Sequence, residues 1–274
     1  MKYILILILF LQFSVSATAQ FDDEEGSSRD RKEKQVDEVE TDSPEVGSGD
    51  IKKLDQALKD KDEASIIKAA SAILAKDSNH LIALNSLAVF HYTKKRYGLS
   101  KIILKRAMEN HKDEPVLSNN LGVIQLTEGD YRKAMVSFNK ALSMDEDYRP
   151  SKAQLGAIYL KYGGTEIANE ALKSGYKLVK SDLRRGSKFA TSVANNYALS
   201  LAAVGDGSKA QSVFEDIIDE GSRDPEVYLN YAILLIDVLN KKEKAVKVVS
   251  KLKFLTDDRN ILKKVNQLDR KLDE

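Results

Sequence analysis

His80, His91 and His111 are the side chains in this chain best suited to acid–base or metal chemistry, because imidazole titrates near neutral pH and ligates divalent metals. Each stands singly, without an acid or nucleophile partner at a useful spacing, and no two of them form a metal pair. Cysteine is absent, which removes thiolate catalysis, thiolate metal sites and disulfides. The glycine clusters Gly163-Gly164 and Gly205-Asp206-Gly207 read as turns between helices, where glycine supplies backbone freedom, rather than as phosphate loops. No catalytic, cofactor-binding or metal-binding residue is expected. What remains is recognition chemistry: amides and hydroxyls that both donate and accept hydrogen bonds, at Ser86, Asn120, Gln154, Asn196 and Asn230, and a run of cations at Lys173, Lys177, Lys180, Arg184, Arg185 and Lys188.

The elements that position these groups repeat every 34 residues. Leu87, Leu121 and Leu155 keep that interval, each followed by a small residue, Ala88, Gly122 and Gly156. So do Tyr97, Tyr131 and Thr165; Ser100, Ala134 and Ala168; Leu104, Phe138 and Leu172; Ala107, Ala141 and Gly175. Five columns on one period specify stacked supersecondary units, not a catalytic globule. In the stretch Pro115–Tyr148, Leu117, Leu121, Gly122 and Ile124 form one helical face, Gly129-Asp130 breaks the run, and Ala134, Phe138, Ala141 and Leu142 line a second helix. Neither helix can hide its face alone, so each pair must stack on its neighbours. Leu155 to Tyr197 spans 42 residues, an insertion of eight, and Ala210 to Ala245 spans 35, an insertion of one. Leu178, Val179 and Leu183 keep helical spacing through the larger insertion, so that helix is expected to run long and stop near Gly186.

Asn120-Leu121-Gly122, Gly129-Asp130-Tyr131-Arg132-Lys133-Ala134, Phe138 and Lys140-Ala141-Leu142 resemble the tetratricopeptide repeat (TPR) motif; Asn195-Asn196-Tyr197-Ala198, Gly205-Asp206, Lys209-Ala210 and Phe214 restore it later. The tryptophan often found early in that motif is missing, and the first unit matches only through Ala64, Ala70 and Ile73. The resemblance implies an all-α TPR superhelical solenoid over 50–274, with six helix pairs near 50–80, 81–114, 115–148, 149–190, 191–224 and 225–257. A capping helix over 258–272 is expected to close it. Asp258 would begin that helix, whose apolar stripe is Ile261, Leu262, Val265, Leu268 and Leu272.

Members of the TPR family line a groove with the first helix of each pair, so the resemblance makes these columns a candidate partner-binding surface. Its amide and hydroxyl members are Asn85, Ser86, Asn119, Asn120, Gln154, Asn195, Asn196 and Asn230. Its apolar members are Val89, Val123, Leu199 and Ile233, and Tyr92, Leu126, Leu160 and Ile236. An amide ladder can hold an extended peptide backbone, and an exposed apolar strip calls for a cover. The charge pattern of carboxylate-clamp TPR modules is missing from these columns, where Lys161 is an isolated cation. The basic cluster 173–188, opposed in sequence only by Asp182, offers electrostatic docking as an alternative.

Lys2, the apolar stretch Tyr3–Phe13 and Ala17-Thr18-Ala19 read as a cleavable export signal over 1–19, leaving no membrane span after cleavage and no lipid-attachable cysteine. Residues 20–50 hold 12 acidic and 4 basic residues, whereas 51–274 hold 38 basic and 30 acidic ones. The span 20–49 therefore reads as an acidic, disordered leader. These features lead to an exported, periplasmic or envelope-associated protein, not a lipoprotein, that holds another protein or peptide segment without a cofactor or small-molecule substrate. A role in pilus, secretion or motility assemblies is the expectation from architecture. Nucleic acid is disfavoured, since the candidate groove columns are uncharged and the lysines scatter.

Overall fold

The computed structural model describes residues 45–273; the expected export signal and residues 20–44 of the acidic leader lie outside the described residues. Among the described residues there are thirteen α-helices and no strand. They are α1 Ser48–Asp60, α2 Glu63–Lys76, α3 Leu81–Thr93, α4 Tyr97–Asn110, α5 Pro115–Thr127, α6 Tyr131–Met144, α7 Arg149–Lys161, α8 Thr165–Leu183, α9 Lys188–Ala203, α10 Gly207–Asp219, α11 Pro225–Ile233, α12 Lys242–Leu255 and α13 Arg259–Asp273. A π-helical turn, Leu234–Val238, continues α11. The chain forms two compact units, 45–148 with α1–α6 and 149–273 with α7–α13. No helix among the described residues is long and apolar enough to cross a membrane.

Local sequence sets the helix ends. Pro115 and Pro225 sit in the first turn, where the missing N–H costs nothing. Asp130, Ser187, Asp206 and Asp224 accept hydrogen bonds from backbone N–H groups of the helices they precede. Within each pair the turn passes through the left-handed region at Lys61, Lys95, Gly129, Gly163, Gly205 and Asn240. These positions follow the 34-residue period, then its 42- and 35-residue steps. Glycine enters this conformation freely and the two lysines do so at a cost, so the glycine signal at this turn is missing from the first, second and sixth pairs.

The two insertions are absorbed differently. Of the eight extra residues, five lengthen α8, which has 19 residues against 14 in α6, and three lengthen α9, which has 16 against 13 in α5. The fifth pair therefore begins at Lys188, three residues ahead of the expected start near Thr191. The single extra residue is taken up by the π turn, where the Leu239 N–H donates to the Leu234 carbonyl at 3.0 Å, one residue beyond the α-helical partner.

The 45–148 unit holds two buried clusters: Leu54, Ala57, Ile66, Ala70, Ile73, Ala83 and Phe90 join α1–α3, and Leu84, Ala88, Leu104, Ala107, Leu117 and Ile124 join α3–α5. In the 149–273 unit one continuous core runs from Ala153 on α7 to Leu268 on α13. The repeat columns fill these interiors, and within each unit successive helices bury their apolar faces on their neighbours.

Candidate functional site

In the 45–148 unit the amide residues on the first helices bond to one another. Asn120 Nδ2 on α5 donates to Asn85 Oδ1 on α3 at 2.8 Å, and Asn119 Nδ2 donates to Asn120 Oδ1 at 3.3 Å. Asn85 is half-buried, whereas Ser86, Asn119 and Asn120 are buried. Beside this chain, the Tyr92 and Thr127 hydroxyls lie 3.0 Å apart, and burial pushes the Tyr92 phenol pKa up, partly offset by that hydrogen bond. Tyr92 and Leu126 keep partly exposed surface.

The 149–273 unit repeats the device: Asn230 Nδ2 on α11 donates to Asn195 Oδ1 on α9 at 3.1 Å. Asn196, Asn230 and Ile236 are half-buried, and Asn195 is buried. Gln154 is buried with its Oε1 unpartnered among the described residues.

These contacts correct the sequence reading in two ways. The expected exposed apolar strip is largely interior: Val89, Val123, Leu160, Leu199 and Ile233 are all buried. The amides form repeat-to-repeat links instead of a fully open ladder, joining residues 35 apart because the donor on one helix meets the acceptor one position earlier on the preceding first helix. Of the expected groove residues, Asn85, Tyr92 and Leu126 in one unit and Asn196, Asn230 and Ile236 in the other keep partly exposed surface.

The tetratricopeptide repeat family model matches residues 117–148, which take in nearly all of α5 and α6. Residues 117–148 carry a tetratricopeptide repeat, and the chain has the TPR fold. A TPR repeat-containing protein of Dictyostelium discoideum is 24% identical over 147 residues, covering 54% of this chain and 55% of the relative, so the chain spans about half the length of that curated relative. Among solved structures, Pseudomonas aeruginosa PilF is 18% identical with a TM-score of 0.59, over 69% of this chain and 83% of PilF. YrrB, described as a TPR protein with an unusual peptide-binding site, is 17% identical with a TM-score of 0.54, over 70% of this chain and 95% of YrrB. At these identities the likeness is one of fold. The TPR fold is that of a protein–protein interaction scaffold, and TPR proteins are generally non-catalytic.

The basic cluster is less free than its sequence indicates. Lys180 Nζ reaches Asp216 Oδ2 on α10 at 3.2 Å and Arg184 Nε reaches Oε1 of Glu220, the residue that ends α10, at 3.1 Å, while Arg185 pairs with Asp182 at 3.5 Å. Asp182 is thus not the only opposing charge. The three-dimensional repeat brings two more carboxylates from about 36 residues away. Lys173, Lys177 and Lys188 remain exposed. Tyr176 also donates to Asp216 at 3.1 Å and stacks on Tyr197 with centroids 5.1 Å apart, so α8 serves here chiefly as a packing strut.

A carboxylate hub missed by the sequence reading ties α10 to α11 and α12. Glu215 accepts from Tyr231 Oη at 2.7 Å and Gln211 Nε2 at 2.8 Å, and pairs with Lys244. Burial opposes ionisation of Glu215, but the hydrogen bonds from Lys244, Tyr231 and Gln211 outweigh it and hold the pKa down at about 2. A depressed carboxyl adds stability that is present above its unfolded value, near 4.5, and lost as pH falls through about 2. The melting-temperature difference between wild type and Glu215→Gln is therefore expected to be largest near neutral pH and to shrink between pH 4.5 and 2. A pH-independent difference in calorimetry would show that the hub is not ionically held.

The histidines take structural places. His80 Nδ1 accepts from the Ala83 N–H at 3.4 Å at the start of α3, and His111 Nε2 lies 2.6 Å from the Asn79 carbonyl. His91 packs edge-on to Phe90 at 5.2 Å, and burial, with Arg96 nearby, lowers its pKa. No group of three potential metal ligands occurs among the described residues.

Proposed function

We propose that this TPR protein is an exported, envelope-associated scaffold that holds an extended or amphipathic segment of a partner protein along the first-helix faces of its repeats, in service of a pilus, secretion or motility assembly. One observation carries the recognition part: the amide pairs Asn85–Asn120 and Asn195–Asn230 recur at equivalent places, with Asn85 and Asn230 half-exposed. A primary amide has two N–H groups and two acceptor lone pairs, so each exposed asparagine keeps capacity for a peptide backbone after making its internal bond. Tyr92 and Leu126 in one unit and Ile236 in the other stand beside these amides as half-buried apolar surface. Support by likeness comes from the peptide-binding site named for YrrB, and the kind of assembly rests on architecture alone. The envelope part leans on the signal-like residues 1–19.

The test is affinity capture from the native envelope with wild type and with Leu126→Glu/Ile236→Glu. Both sites are partly exposed, so the fold tolerates the charges, and loss of capture by about thirtyfold is expected for a site with hot-spot energetics. Undiminished capture by a variant of unchanged helicity would remove these faces from the function. Cell fractionation tests the location: an unprocessed chain confined to the cytoplasm would overturn the envelope part. The electrostatic alternative retains Lys173, Lys177 and Lys188 as its exposed cations, and steep loss of capture with salt would favour it.

A further inference from the structure

The outer face of α4 combines exposed apolar surface with cations that no carboxylate matches. Ile102 and Val136, one repeat apart on α4 and α6, are 68% and 70% exposed, the most of any large apolar side chains described in the 45–148 unit. Ile102, Lys105, Arg106 and Glu109 fall at i, i+3, i+4 and i+7, so they share one face of α4. Beside that face lies a cavity of about 340 Å³, walled almost wholly by carbon and lined by Lys101, Lys105, Met108, Glu109 and Leu121. That volume is roughly ten times the share of one water molecule in the liquid, so the cavity has room for side chains. Along its whole length α4 carries Lys101, Lys105 and Arg106 against the single acid Glu109. Lys101 pairs with Glu128 at 2.7 Å, and Arg106 donates to the Ser78 carbonyl at 2.6 Å, which engages the guanidinium without cancelling its charge. Lys105 is exposed and has no acidic partner among the described residues.

An acidic stretch of the same chain is tethered to this part of the same unit. Residues 35–44 hold Asp37, Glu38, Glu40 and Asp42 with Val36 and Val39, and no base. The described chain starts at Glu45, whose carbonyl accepts from Lys76 Nζ at 3.4 Å at the end of α2. Two residues beyond Lys76, the Ser78 carbonyl receives Arg106 of α4, and Lys105 and Met108 lie within one turn of Arg106. That bent path from Glu45 to Met108 is on the order of 30 Å and its ends are nearer than its length, while residues 36–44 extend to about 30 Å. The stretch therefore reaches the cavity. Val46 and Leu74 pack on the α1–α3 core, and Leu74, Met108 and Leu121 on the α3–α5 core, so Leu74 links the cluster at the entry point to the one that borders the cavity. We propose that the outer face of α4 and its cavity are the docking site for residues 36–42 of the same chain, with Val36 and Val39 meeting Ile102, Met108 and Leu121, and the carboxylates meeting Lys105 and Arg106. The tether presents the segment at an effective concentration on the order of millimolar, so contacts too weak to hold a free peptide suffice. None of these residues is among those assigned to partner capture, and the two readings stand or fall separately.

Carbodiimide cross-linking of the full chain, in an equal mixture of unlabelled and nitrogen-15 protein, tests this directly by mass spectrometry. The expected products join Asp37, Glu38, Glu40 or Asp42 to Lys105, and in smaller amount to Lys101, within chains of one label. Their yield should fall about fivefold at 1 M salt, where the Debye length shrinks to about 3 Å. A similar fall is expected in Ile102→Ser and in Val36→Ser/Val39→Ser at unchanged helicity; Ile102 is exposed, so its replacement leaves the core intact. Links spread evenly over Lys52, Lys53, Lys68 and Lys105 would reveal a tether without a site and overturn the proposal. So would the absence of links to Lys105, or a yield indifferent to both sets of substitutions. Links joining unlike labels would assign the face to a second copy, and binding to phosphatidylglycerol vesicles that Ile102→Ser abolishes, with no link from residues 37–42, would assign it to lipid; either result overturns self-docking.

Discussion

Truncating Phe138 to alanine is expected to lower the stability of the 45–148 unit by about 3–5 kcal/mol, the range for emptying a fully buried aromatic site. The ring is fully buried and occupies the space that the absent side chain of Gly122 leaves open: a Cβ built on Gly122 would stand 2.6 Å from Phe138 Cε1 and 2.8 Å from Cδ1. Gly122→Ala alone should therefore cost about 1–3 kcal/mol through overpacking, although alanine is the better helix former by about 1 kcal/mol. In the Phe138→Ala background the same substitution meets an empty site, and its effect should turn neutral or stabilising. The coupling between the two changes is expected to be on the order of 1–3 kcal/mol. Amide exchange of α5 and α6 under denaturant measures this within the unit, which matters because two units need not unfold together. Additive effects of the two substitutions would mean that Gly122 does not reserve space for the ring but is an ordinary helical glycine.

How far the sequence revealed this packing depends on which repeat column is considered. Gly156 repeats the arrangement in the 149–273 unit, its Cβ position lying 2.6 Å from Leu172 Cγ. Gly175 falls in another small-residue column, yet a Cβ there would meet only Val193 Cγ1 at an ordinary 3.4 Å. Spacing identified small residues next to large ones, because stacking at a fixed period imposes that pairing on every unit; it could not say which glycine is jammed and which is loose, because that depends on distances of tenths of an ångström. The site shows the same division. Asn85, Asn120, Asn195 and Asn230 could be read as recurrent amides, but whether their hydrogen bonds go outward or to each other is decided by the approach of neighbouring first helices. The burial of Val89, Val123, Leu199 and Ile233 was likewise hidden, since an apolar residue on a solenoid's first helix has the same sequence signature whether it faces a neighbour or a ligand. Lys61, Lys95 and Asn240 escaped for a different reason: the left-handed turn is a backbone property that glycine advertises and lysine does not.

Lys271→Met should release the last helix while leaving the rest of its unit folded. Asp237 sits in the π turn with its side chain only 9% exposed, and both of its carboxylate oxygens lie 2.8 Å from Lys271 Nζ on α13. Removing the ammonium leaves a nearly buried carboxylate without its cation, at about 1–3 kcal/mol given that the Lys271 side leaves water some access. That amount is decisive locally, because α13 buries only Val265 and Leu268, with Ile261 and Leu272 packed partly buried beside them. Amide protection along α13 is expected to collapse toward the unprotected limit, with α9 and α10 unchanged. The nearby pair of Lys253 and Asp269 makes the control: its side chains are 45% and 34% exposed, so Lys253→Ala should cost under about 1 kcal/mol. Adding Asp237→Asn to Lys271→Met removes the orphaned charge and should restore most of the protection, which a purely steric role for Lys271 would not allow. The one-residue insertion that creates the π turn thus has a mechanical consequence: it places a nearly buried acid against α13, where losing the single cation that matches it loosens that helix.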